Sequence, residues 1–149
     1  MNRVWILSNK LYQKPGGGVQ RICARILELI SMKLGDNSVT ARSSIGYETV
    51  FMHRGVGCVT HPNTVIGNYC HIAANVTLGG KWSSKDADNS LAPVIGDYVE
   101  IGAGAVLLGG IRVGNHASID ANAVVLTDAP DYGVAVGVPA RVVEIKERN

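Results

Sequence analysis

Between Pro93 and Thr127 an apolar residue returns at every sixth position: Ile95, Ile101, Leu107, Val113, Ile119 and Val125. With 46% hydrophobic residues in the chain, six such hits at a preset spacing arise by chance in roughly 1 of 100 frames. A second column, two places earlier, holds Val99, Ala105, Ile111, Ala117 and Ala123, all small or aliphatic. Gly follows the main column at Gly96, Gly102 and Gly114. A period of six suits neither a helix at 3.6 nor a free strand at 2; it suits a chain that turns a corner once per repeat. Three short strands and three corners then close one coil of about 18 residues, and stacked coils bury their apolar faces against one another. Gly, Asn and Asp gather after the column because corners require φ > 0.

The same column extends upstream through Val39, Ile45 and Phe51, then resumes in shifted frame at Thr60, Ile66, Ile72 and Leu78. Phe51 and Thr60 lie nine apart, so three residues bulge from a corner that contains His53-Arg54-Gly55-Val56-Gly57. Leu78 and Ile95 lie 17 apart, and the stretch from Lys81 to Ser90 supplies no apolar column, which predicts an extruded loop. Such departures from a repeat are common places for binding functions. Ahead of the repeat, Val19, Ile22, Cys23, Ile26, Leu29, Ile30 and Leu34 recur at helical spacing between Gly16-Gly17-Gly18 and Gly35, predicting a helix over 19–34. The stripe is expected to pack on the end or flank of the coil; the alternative is a basic amphipathic helix resting on a membrane surface, a peripheral contact. The expected organisation is a helical segment over 1–35, a hexapeptide-repeat β-helix over 36–130 with an extruded loop at 80–92, and a tail over 131–149 that does not extend the coil.

Three ordered segments carry a family likeness: Val76-Thr77-Leu78-Gly79-Gly80, Ile101-Gly102-Ala103-Gly104-Ala105 and Val136-Gly137-Val138-Pro139-Ala140-Arg141. With them the chain resembles the hexapeptide-repeat acyltransferases, in particular the serine acetyltransferase-like branch and the small O-acetyltransferases of polysaccharide biosynthesis. The resemblance implies an all-β fold, a left-handed parallel β-helix with a short N-terminal α-helical segment; the left hand comes from the family, since crossovers are otherwise right-handed. It also implies a bacterial, cytoplasmic homotrimer using acetyl-CoA as co-substrate and no metal.

In the resembling serine acetyltransferases the catalytic histidine stands eight residues after a column position, as His53 stands after Ile45. A thioester carbonyl is already electrophilic, so the catalyst must chiefly take a proton from an attacking hydroxyl, and an imidazole with a pKa near ~6.5 suits that task. His53 is therefore the expected general base, and His61, His71 and His116 are read as corner or solvated residues. Backbone N–H groups near Gly79 and Gly80 are expected to stabilise the oxyanion. For the coenzyme the family's groove corresponds to Gly79, Gly80, Ala103 and Gly104, with Arg141 and Lys146 nearer the phosphates and Lys81 reaching in from the loop. This chain departs from the family at three aligned places: Ser38 and Met52 stand where aspartates do, and Ala92 where a loop histidine does. A backbone carbonyl or Glu48 is left to orient His53. A site with fewer charges points to a neutral acceptor, hence a carbohydrate held by Asn75, Trp82 and Asn89, in cell-surface polysaccharide synthesis. Serine O-acetylation is the alternative, with Glu48 or Asp86 receiving the ammonium group, and a non-catalytic assembly protein is the reading from another class.

Charge and cysteines add little. The net charge of +2 indicates no nucleic-acid partner, but it is unevenly spread: the first 34 residues hold six Lys or Arg against Glu28 alone. Cys23, Cys58 and Cys70 form no C-x-x-C pair and are read as small apolar residues. The apolar run Val4 to Leu7 is too short for a signal peptide. A zinc carbonic anhydrase on a similar fold needs three converging histidines, and no H-x4-H pair occurs. Gly16-Gly17-Gly18 lacks the Lys-Ser/Thr of a phosphate loop.

Overall fold

The computed structural model describes residues 3–14, 17–35, 37–80 and 91–145. Its body is a three-sided coil of parallel strands, two or three residues long until the last coil, as a corner every six residues requires. One side holds β1 (Ser44–Ile45), β4 (Val65–Ile66), β7 (Val94–Ile95) and β10 (Arg112–Val113) in that order. The second side runs from β2 (Val50–Phe51) through β5 (His71–Ile72), β8 (Glu100–Ile101) and β11 (Ser118–Ile119) to β13 (Gly133–Val136) and β14 (Arg141–Ile145). The third holds β3 (Val59–Thr60), β6 (Thr77–Gly79), β9 (Val106–Leu108) and β12 (Val124–Val125).

The register confirms the sixfold columns residue by residue. Ile101 pairs with Ile119 and Leu78 with Leu107, so inward residues stack on inward residues from coil to coil. Phe51, Ile72, Leu78, Ile95 and Leu107 are fully buried, as are Val99, Ala105, Ala117 and Ala123 of the second column. Interruptions in the repeat show as offsets in the pairing. Ile101 meets Ile119, 18 positions on, but Ile45 meets Ile66, 21 on, and Ile66 meets Ile95, 29 on. The three extra residues lie in a tight turn at Met52–Gly55 and its exit; the eleven extra lie in the loop, of which 81–90 falls outside the described residues.

Two expectations about the ends are corrected. The tail extends the coil: β13 pairs in parallel with β11, placing the buried Ala135 on Ile119, and Ala129 bridges Val113. Alanines hide these positions from a search for large aliphatics, and Ala129 follows Val125 by four positions instead of six. β14 then folds back antiparallel on β13 and covers its free edge. At the other end there are two helices, α1 (Arg3–Gln13) and α2 (Gly18–Gly35), where one was expected. They close the first coil by polar contacts: Asn9 Nδ2 donates to the carbonyls of Ala41 and Ser43 (3.0 Å each), and Glu28 Oε1 accepts from the Ala41 N–H (2.7 Å). The buried Ser8 donates to the Ala24 carbonyl (2.7 Å), which brings the two helices together at a small residue. The apolar stripe of α2 does not pack on the coil; it faces outward.

Candidate active site

His53 lies on the corner between the second and third sides, in the bulged turn. His53 (φ 51), Arg54 (φ 63) and Gly55 (φ 73) are three consecutive left-handed residues, a conformation uncommon for side chains other than Asn, Asp or His. The turn is held from beneath: the Cys58 N–H donates to the Gly55 carbonyl (2.9 Å), and Asn37 Nδ2 donates to the Arg54 carbonyl (3.1 Å). Gly55 is needed, since a Cβ there would press within 3.3 Å of the Phe51 side chain. The three extra residues thus push the imidazole outward, exposed, on a fixed base.

Neither group expected to orient His53 does so among the described residues. Glu48 is engaged at the neighbouring corner, where its hydrogen bond holds the Tyr47 hydroxyl above its ordinary value of 10.0.

Successive coils stack further residues along the His53 corner. The Asn75 N–H donates to Val56, the Gly104 N–H to Ala74 and the Asn122 N–H to Ala103, at 2.8, 3.0 and 2.9 Å. The coil therefore brings Ala103 and Gly104 to the same edge as His53, two rungs away, about 10 Å at a strand spacing of ~4.8 Å. Arg141 opens β14 just past the last turn on this edge, its Nη1 donating to the Ala140 carbonyl (3.2 Å). Gly104 (φ 72) is left-handed, and a Cβ there would collide with the Asn122 side chain. Asn75, expected to contact the acceptor, is exposed on this edge and also left-handed (φ 59), so its backbone turns the corner.

Gly79 and Gly80 are not brought to this edge. They end β6 at the corner between the third and first sides, beside His61, whose ring carbons would lie 3.5 Å from a Cβ on Gly80. His61 Nδ1 accepts from the Asn63 N–H (3.2 Å), as suits a corner histidine. One face of the coil, on the order of 15 Å for some five extended residues, thus separates them from His53 within a single chain. Lys81, Trp82, Asn89 and Lys146 lie outside the described residues, as does Asp86.

Beside Met52, on the second side, a groove of about 460 Å³ is lined by His71, Glu100, Ser118 and Asp120. Glu100 pairs with His71 and Ser118 on its two neighbours, so these outward side chains form a row. Two carboxylates thus border the groove next to the turn that carries His53. Sequence spacing alone did not single them out, since 48 positions separate Met52 from Glu100. A second feature missed is a ladder of rings on the corner between the first and second sides: Tyr69, Tyr98, His116 and Tyr132 stack with centroids 5.0, 4.8 and 4.8 Å apart. His116, read from sequence as solvated, is a rung of it. The repeated dipeptides Asn68-Tyr69, Asp97-Tyr98, Asn115-His116 and Asp131-Tyr132 were the available signal. Beneath the rings, the Asp97 carboxylate accepts from Asn68 N–H, Asn115 Oδ1 from Asp97 N–H, and Asp131 from Asn115 N–H, at 2.7 to 2.8 Å. Among the described residues no group of three His, Cys, Asp or Glu is placed to hold a metal, and no helix is long and apolar enough to cross a membrane.

The bacterial transferase hexapeptide pattern, of six repeats, matches residues 92–127. The chain is 32% identical to the serine acetyltransferase of Staphylococcus aureus over 146 residues (97% of this chain, 65% of that protein) and 31% identical to that of Staphylococcus epidermidis (100% and 67%). The chain belongs to the hexapeptide-repeat transferase family. Among solved structures, a serine acetyltransferase in complex with CoA superposes with a TM-score of 0.80 at 34% identity, over 94% of this chain and 54% of that one. The chain thus spans about two thirds of its staphylococcal relatives and about half of that structure. These relatives are named for serine acetylation, so the comparisons lend no support to the polysaccharide branch expected from the sequence.

Proposed function

We propose that this protein transfers an acetyl group from acetyl-CoA to a hydroxyl, with His53 as general base and L-serine as the acceptor. The observation that carries the reading is the placement of His53: the one interruption of the coil that the structure describes in full presents an exposed imidazole on a rigid left-handed turn. The hydroxyl oxygen would attack the thioester carbonyl carbon while its proton passes to the imidazole. As the C–S bond breaks, that proton returns to the leaving coenzyme thiolate. Backbone N–H groups are the expected oxyanion donors, and Gly79 and Gly80 of a neighbouring chain are proposed for this role. Ala103, Gly104 and Arg141 on the His53 edge are the proposed coenzyme contacts.

Serine takes precedence over a carbohydrate for two reasons. The relatives are serine acetyltransferases, and the argument from missing aspartates weakens once Glu100 and Asp120 border the groove beside Met52. Either carboxylate can meet an ammonium group that would otherwise leave water unpaired.

The deciding experiment compares acetyl transfer from acetyl-CoA to L-serine and to a panel of glycans, for the wild type and His53→Ala. Saturable O-acetylserine formation is expected, with a turnover loss of at least ~10²-fold in His53→Ala and little change in acetyl-CoA affinity. Transfer to glycans alone would overturn the acceptor. An undiminished His53→Ala enzyme would overturn the base. Failure to bind acetyl-CoA at all would favour a non-catalytic assembly protein.

A further inference from the structure

Helix α2 carries an apolar stripe that is exposed among the described residues. Val19, Ile22, Ile26 and Leu29 are 77%, 59%, 52% and 63% exposed, and Cys23 and Ile30 continue the same face. The opposite face is the docked one, fixed by the buried Ala24 and by Glu28 on the Ala41 N–H. A contiguous exposed apolar face of this kind marks a contact surface. Its surroundings say which kind. Arg21, Arg25 and Lys33 on α2, Lys10 on α1 and Lys14 just past its end are all exposed, whereas Glu28, the only acidic side chain in the first 34 residues, is turned inward. The surface around the stripe is therefore positive without a compensating carboxylate of its own.

We propose that α2 docks in the plane of an anionic lipid surface, with the stripe at the headgroup–acyl boundary and the lysines and arginines among the lipid phosphates. An 18-residue helix offers a contact about 27 Å long at ~1.5 Å per residue, and a helix with one apolar face and basic flanks is the pattern for interfacial binding. A symmetric contact between two copies of the stripe fits less well, since it sets Arg25 and Lys33 of each helix against like charges. The proposal is independent of the acetyl-transfer reading, because none of these residues belongs to that site.

The test is co-sedimentation of the whole chain with vesicles of phosphatidylcholine alone and of phosphatidylcholine with phosphatidylglycerol. Binding at least ~10-fold stronger to the anionic vesicles is expected, weakened several-fold by 0.5 M NaCl as screening requires. The pairs Ile22→Ser/Ile26→Ser and Arg25→Glu/Lys33→Glu should each lose most of that binding while keeping the wild-type circular dichroism spectrum and, by ultracentrifugation, the wild-type mass. Absent or charge-independent vesicle binding overturns the proposal. So does a fall in mass for Ile22→Ser/Ile26→Ser, which would show the stripe to be closed between copies.

Discussion

At the scale of single residues, two buried thiols report how dry the coil interior is. Cys58 and Cys70 are both fully covered, donating to the carbonyls of Ala73 (3.2 Å) and Gly96 (3.1 Å). Burial raises both thiols above their ordinary value of 9.0, because a thiolate would lose its hydration there. Below about pH 9 the thiols are protonated whether the chain is folded or not, so they make no pH-dependent difference. Above it, the unfolded chain releases these protons and the folded chain retains them, and stability falls as pH rises. Urea midpoints between pH 7 and 10.5 should show that fall, and Cys58→Ala/Cys70→Ala should flatten it. A slope unchanged by the double substitution would contradict the assignment. Cys23, exposed on α2, should be the one thiol that an aromatic disulfide reagent reaches before unfolding.

At the scale of elements, α2 shows how a helix can be positioned by its less conspicuous face. Ala24 permits close approach to α1, and the Glu28 carboxylate satisfies a backbone N–H that the first coil leaves without a strand partner. Replacing Glu28 by Ala strands that N–H in a partly buried setting, which costs about 1–3 kcal/mol. The expected outcome is a loss of that size in urea unfolding for Glu28→Ala, with recovery in Glu28→Gln, whose amide oxygen can still accept. A neutral result for Glu28→Ala would mean that water reaches Ala41. The exposed stripe then follows from the docking: once Ala24 and Glu28 face inward, a helical period of 3.6 turns Val19, Ile22, Ile26 and Leu29 outward.

At the scale of the whole molecule, the coil separates the two halves of the proposed chemistry. His53 and Gly104 share one edge, while Gly79 and Gly80 stand on another. With the roles proposed above, a complete site takes a second chain, and the proposed assembly is a threefold ring. The expected solution mass is three times the 15.7 kDa chain. Mixing inactive His53→Ala chains with chains inactivated at Gly80 should restore part of the activity, because some interfaces then pair an intact His53 with an intact Gly80. A fully active monomer would rule out the shared site.

The coil is legible in the order of residues alone. Nearly every inward position is apolar whatever its neighbours are, Thr60 being the exception in the column, so the columns from Val39 to Val125, the three-residue bulge at His53 and the longer insertion after Gly80 can all be read without knowing any contact. His53 was legible for the same reason, as the side chain carried by a defect in the period. Which residues become neighbours emerges only on folding. Glu100 joins Met52 across 48 positions, and Gly80 parts from His53 within 27, because the closing of each coil, and not distance along the chain, sets who shares an edge. Ala129 and Ala135 continue the coil beyond the expected end because their pairing with Val113 and Ile119 buries them, although neither is a large aliphatic. The facing of α2 was likewise hidden. A hydrophobic stripe reveals that a helix has an apolar side, but the side that docks was chosen here by one alanine and one hydrogen-bonded glutamate, whose partners in α1 and the first coil appear only when the chain is folded.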